Sequence, residues 1–180
     1  MNGVSLARLP VSAKVFCSLF FLGIGLGNAA AFVQAATAVG LSSTEIRSSL
    51  APDMPMTHLG HGEADAEKEI RLEDVAAAAK VWIRTPLLIQ TSHTHLFGQT
   101  LIAGLLGLIF LFSSVREPTK IVVVALPFVG TLLDIGGMWL TRFVWPPLAV
   151  LVIAGGTLFA VGYVVNAGIS LYEMWARKAA

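Results

Sequence analysis

The chain has 180 residues and a net charge of +1, and it is 56% hydrophobic and only 13% charged, against about 25% charge in an ordinary soluble domain. Its mean hydropathy is +0.76. A chain this short cannot hide so much apolar surface in one water-facing core, so lipid is its natural solvent. These figures exclude a disordered chain, a disulfide scaffold and an ordinary cytosolic enzyme. Near-neutral charge gives a nucleic acid no electrostatic footing. The single cysteine, Cys17, can make neither an intrachain disulfide nor a cysteine-based zinc site.

Four apolar stretches, residues 15–39, 87–112, 121–140 and 148–171, reach the length of about 20 residues that a helix needs to cross the hydrocarbon layer. In lipid each must be helical, because unpaired backbone groups find no water there. The first follows Arg8 and Lys14 and carries Gly23, Gly27, Ala31 and Ala35 at intervals of four, a smooth ridge that lets another helix approach closely. The same charged start, apolar run and small triplets, Ala29-Ala30-Ala31 or Ala36-Thr37-Ala38, also fit a cleaved signal peptide. The run continues to Val39, which is long for a signal and suits an anchor.

Residues 40–86 are net acidic. Residues 42–62, rich in Ser, Pro, Gly and Met, are expected to be irregular, and they hold Met54, Met56, His58 and His61. In residues 66–84 the apolar positions Leu72, Val75, Ala76, Ala79, Trp82 and Ile83 recur three and four apart with charges between them. That spacing predicts an amphipathic helix along the membrane surface, ended by Pro86.

The second span opens with Ser92-His93-Thr94-His95-Leu96-Phe97-Gly98-Gln99. His93 and His95 lie about 200° apart around a helix, whereas His95 and Gln99 share a face. Thr100 and Gly104 form a second small ridge on this span. The third span contains Pro127, which removes one backbone bond and is expected to bend the helix. Gly130, Asp134 and Met138 share one of its faces. The fourth has small residues at Gly156, Ala160 and Gly162 and polar ones at Tyr163, Asn166 and Ser170, with Glu173 expected in solvent at its end. The ridges predict a four-helix bundle first and contacts between copies of the chain second.

Basic residues set the orientation. Arg8, Lys14, Arg116, Lys120, Arg177 and Lys178 fall on one side of four crossings. Both termini are therefore expected in the cytoplasm of a bacterial inner membrane, with residues 40–86 in the periplasm. The organisation expected is all-α: an N-terminal transmembrane helix over 1–39, an external loop over 40–86 and a three-helix transmembrane region over 87–180.

Ionisable groups at membrane depth invite a functional reading. Asp134 is the main one, as a proton carrier or ligand-orienting carboxylate. Its alternative is a bundle pin bonded to Asn28, Gln34, Gln99 or Asn166. All four histidines fall toward the external face, where imidazole and thioether suit copper; His58 and His61 with Met54 and Met56 form one candidate metal group. Haem b is the other candidate cofactor, with His93, His95 and Asp134 as the candidate cofactor-binding residues and a further ligand needed from His58 or His61, from Met138 or from a second copy of the chain. Spans one, three and four contain no histidine, so an intramembrane bis-His haem within one monomer is not available. The pair His95 and Asp134 also fits proton exchange with a quinol. The bland alternative makes the histidines hydrogen bonders at the interface. No soluble-type catalytic constellation is visible, so an enzyme is not expected.

Residues 84–175 resemble a group of bacterial membrane proteins. The resemblance is carried by Ser92-His93-Thr94-His95-Leu96-Phe97-Gly98, by Leu133-Asp134-Ile135-Gly136-Gly137-Met138-Trp139-Leu140-Thr141 and by Leu171-Tyr172-Glu173-Met174-Trp175. It implies one N-terminal helix, an external segment and three more helices. It also implies a link to periplasmic electron transfer, because some members carry Cys-x-x-Cys-His in the external segment. This chain lacks that motif, which excludes covalent c-type haem. The reading reached is a non-catalytic accessory or assembly subunit beside a cytochrome or oxidase complex. Its alternative is a haem- or copper-binding electron-transfer protein.

Overall fold

The computed structural model describes residues 5–50 and 83–177. These residues are helical and include no strand. Helix α1 (Val11–Gln34) runs into one π-helical turn (Ala35–Val39), and α2 is short (Ser43–Leu50). Helices α3 (Thr85–Leu111), α4 (Glu117–Phe143) and α5 (Ala149–Trp175) follow, α5 after a 3-10 turn (Pro146–Leu148). Helices α1, α3, α4 and α5 are each long and apolar enough to cross a membrane. The protein is an all-α, multi-pass membrane protein. Pro86 and Pro118 sit in the first turns of α3 and α4, where a missing N–H costs nothing and the fixed φ suits a helix.

Helix α2 lies within the stretch expected to be irregular. It starts with a reciprocal cap. The Glu45 backbone N–H donates to Ser42 Oγ at 3.2 Å, and the Ser42 backbone N–H donates to Glu45 Oε2 at 3.1 Å. That is the Ser-x-x-Glu capping box, which satisfies two end donors at once. Its apolar side, Ile46 and Leu50, packs against Leu88 and Ala149 beneath it. Gly40, with φ of 98°, makes the turn between α1 and α2, a backbone region closed to most side chains.

The α4–α5 hairpin is the tightest part of the bundle. Its contacts run through glycines seven residues apart, Gly130 and Gly137 on α4, Gly155 and Gly162 on α5. A Cβ on Gly130 would sit 2.6 Å from the Phe159 nitrogen, and one on Gly137 would sit 2.8 Å from the Val152 nitrogen. One on Gly155 would overlap the backbone of Asp134, and one on Gly162 would meet Pro127 Cδ at 2.7 Å. In lipid such close approach replaces the hydrophobic effect as the source of cohesion.

Pro127 leaves the carbonyl of Val123 without its helical donor. Asn166 supplies the donor from α5: its Nδ2 reaches Val123 O at 3.1 Å and also its own Gly162 O at 3.0 Å. Helix α4 therefore continues unbroken through the proline. The Asn166 Nδ2 is used by this repair, its Oδ1 is buried without a donor, and the residue does not pair with Asp134.

Helix α1 packs one seam, Cys17 and Phe21, onto Leu106 of α3 and Ala167 and Met174 of α5. Tyr163 of α5 donates its hydroxyl to Phe21 O at 2.6 Å. The predicted small-residue ridge is elsewhere on this helix. A Cβ at Gly23 or Gly27 would meet nothing within 4 Å, and Ala31 is exposed. Gly104 and Gly156 are open in the same way.

The end of the bundle bearing Lys14, Arg116, Lys120 and Arg177 is closely tied. Lys14 Nζ donates to Met174 O at 2.6 Å and Ala7 O at 3.0 Å, placing a cation at the negative end of α5. Glu173, expected in solvent, is instead 3% exposed. Its carboxylate accepts the backbone N–H of Ser114 at 2.9 Å and the Ser114 hydroxyl at 2.6 Å, and it pairs with Arg177 at 3.2 Å. It thereby anchors the α3–α4 connection.

Candidate functional site

The site is built at the opposite half of the bundle, from α3 and α4. Their register is fixed by two contacts. Trp139 Nε1 donates to Ser92 Oγ at 2.8 Å, and lower down Gly107 faces Val124. Between these points His95 comes opposite Asp134, with Nδ1 3.9 Å from Oδ2. This separation is too long for a hydrogen bond, but it is close enough for the two groups to feel each other's charge. Asp134 is held by the hairpin: its backbone lies against Gly155, and its side chain is only 11% exposed. The imidazole is 45% exposed.

Among the buried polar atoms without a partner, which also include Ser113 Oγ, Asn166 Oδ1 and Ser170 Oγ, two are amide atoms on α3 and α1. Gln99, one turn along α3 from His95, has its Oε1 buried and unbonded, and so does Asn28 Nδ2 on α1. A buried amide atom without a partner costs about 1–3 kcal/mol. Neither signal is visible in sequence beyond the presence of an amide within a span. The four-residue spacing of His95 and Gln99 does put them on one face.

His93 is directed away from this pair and lies against Phe97, ring centroids 5.0 Å apart. His93 and His95 therefore do not face one centre within this chain, in keeping with their two-residue spacing on a helix. Among the described residues no three His, Cys, Asp or Glu side chains gather as a metal site. Met54, Met56, His58 and His61, the other metal candidates, lie outside the described residues, as does nearly all of the predicted surface helix over 66–84.

Arg142 holds the stems of that undescribed stretch. Its guanidinium donates to Leu50 O at 2.7 Å and Ile83 O at 3.0 Å, and to Thr85 Oγ1 at 3.3 Å. The backbone N–H of Ile83 donates to Ser49 O at 3.1 Å. Leu50 and Ile83 are thus held together beside Arg142 at the end of α4. In the sequence Arg142 marks only the end of a span.

Residues 85–180 match Aq_1264_TM, a transmembrane helical domain family. The chain belongs to this family. The match covers more than half of the chain, namely α3, α4 and α5, and thus both members of the His95–Asp134 pair. No curated protein and no solved structure matches the chain.

Proposed function

We propose that the chain is a non-catalytic accessory or assembly subunit of a respiratory or periplasmic electron-transfer system. In this reading it sits in the bacterial inner membrane, with the Lys14 end in the cytoplasm and segment 51–82 in the periplasm. The observation that carries the docking role is the uncovered ridge of α1. Gly23, Gly27 and Ala31 form the surface that lets another transmembrane helix approach closely, and among the described residues nothing lies within 4 Å of a Cβ added at Gly23 or Gly27. The basic residues gathered at one end support the orientation. The electron-transfer setting rests on the resemblance carried by Ser92-His93-Thr94-His95-Leu96-Phe97-Gly98.

The test is co-purification from native membranes in mild detergent. A cytochrome-containing complex should travel with the wild-type chain and be lost from Gly23→Leu and Gly27→Leu; an added Cβ at either position meets nothing within 4 Å, and an unchanged unfolding midpoint checks that the fold is kept. A wild-type chain that purifies alone, or leucine variants that retain the complex, would contradict the docking role. Topology is checked separately: a reporter after Glu63 should read as periplasmic and one after Ala180 as cytoplasmic.

A further inference from the structure

Asp134 lies eight residues from Arg142 and fourteen from Lys120 along α4, or about 12 Å and 21 Å at 1.5 Å per residue. Against a hydrocarbon layer of about 30 Å, the His95–Asp134 pair is deep in the bilayer, well below the level of lipid headgroups. Carboxylates at such depth are costly unless paired or put to use. The pair is asymmetric in access. Asp134 is enclosed by α4 and α5, while nearly half of the imidazole is open. With Nδ1 turned to Asp134, Nε2 is the ring nitrogen left for a ligand. Just along the same face of α3, Gln99 Oε1 is buried without a donor.

A ligand for this place must dissolve in the hydrocarbon and arrive sideways. It must also carry polar atoms that pair with a nitrogen able to donate or accept and with an acid able to do either. A phospholipid headgroup sits too far out. A fatty chain has no group to offer at that depth. A ring with two opposed oxygens on an isoprenoid tail meets every condition: as a quinone it accepts hydrogen bonds, and as a quinol it donates them. We propose that His95 and Asp134 form a lipid-accessible binding site for the head ring of a quinone or quinol, His95 Nε2 making the outer contact. The claim is one of binding and includes no electron transfer. It is independent of the docking role, which rests on the opposite surface of α1.

Decylubiquinone is the probe. It is titrated into the full chain in lipid nanodiscs, with Trp82, Trp145 and Trp175 changed to Phe so that Trp139, beside Ser92 and one turn beyond the pair, reports by fluorescence quenching. Quenching should saturate. His95→Leu should weaken binding about tenfold, the worth of one hydrogen bond of about 1.4 kcal/mol. Asp134→Asn should weaken it by a similar factor, and His93→Leu should leave it unchanged. His95 is half exposed, so its leucine variant keeps the fold and the test does not depend on the Asp134 variant. Decanol, a tail without the ring, should not displace the probe. Quenching that rises linearly with probe, that is equal in His95→Leu, or that decanol abolishes would overturn the proposal.

Discussion

The α4–α5 hairpin and α1 use the same small residues to opposite effect. In the hairpin four glycines seven residues apart bring two backbones together, so that a single Cβ would strike main-chain atoms. On α1 the glycines four residues apart meet nothing within 4 Å of an added Cβ among the described residues, and the helix is held instead by Cys17, Phe21 and the hydroxyl of Tyr163. A small-residue ridge is therefore a capacity for contact rather than a contact. The hairpin spends that capacity on the fold, and on α1 it stays unspent among the described residues.

Substitutions should separate the two uses. The largest effect is expected at Gly155→Ala, whose Cβ would overlap the Asp134 backbone; about 3 kcal/mol of stability should be lost, read as a lower unfolding midpoint in detergent. Asn166→Ala should cost about 1–3 kcal/mol by orphaning the Val123 carbonyl. In a Pro127→Ala background, where α4 regains its own donor, the same change should cost clearly less. That double-mutant cycle isolates the repair from the packing. Glu173→Gln should cost about 1–2 kcal/mol, because the amide keeps one acceptor for Ser114 but loses the charge-assisted bonds. Gly27→Ala should change stability by no more than about 0.5 kcal/mol, with any gain coming from helix propensity. If Gly27→Ala destabilised as much as Gly155→Ala, the contrast between the two helices would disappear.

The spans were legible because length and hydropathy leave few choices in lipid. Their partnerships were less so. Apolar residues surround each helix, and no periodicity says which stripe meets protein and which meets lipid. The four-residue ridges at Gly23–Gly27 and around Gly156 stand out to the eye, yet the contacts use Gly130, Gly137, Gly155 and Gly162. Two features were within reach. The Ser42–Glu45 box announces α2, whose eight residues are too short and too polar to register by hydrophobic pattern. Pro127 orphans the Val123 carbonyl four residues before it, and an amide on a neighbouring span is a natural donor. The approach of His95 to Asp134 is different in kind. Sequence places both toward one end of the bundle, but their separation depends on a register set by the Trp139–Ser92 and Gly107–Val124 contacts, which belong to side-chain shape. Burial of Glu173 likewise depends on how the α3–α4 turn folds back over the end of α5.

The most direct measurement of the α1 account places a nitroxide at Leu26, which is exposed and flanks the Gly23–Gly27 ridge, in a chain with Cys17 replaced by Ser. Oxygen accessibility should be high for the isolated protein in nanodiscs and should fall when the same chain is held in its native membrane complex. A label already shielded in the isolated protein, or equally open in both states, would contradict the claim that this ridge is left free for a partner.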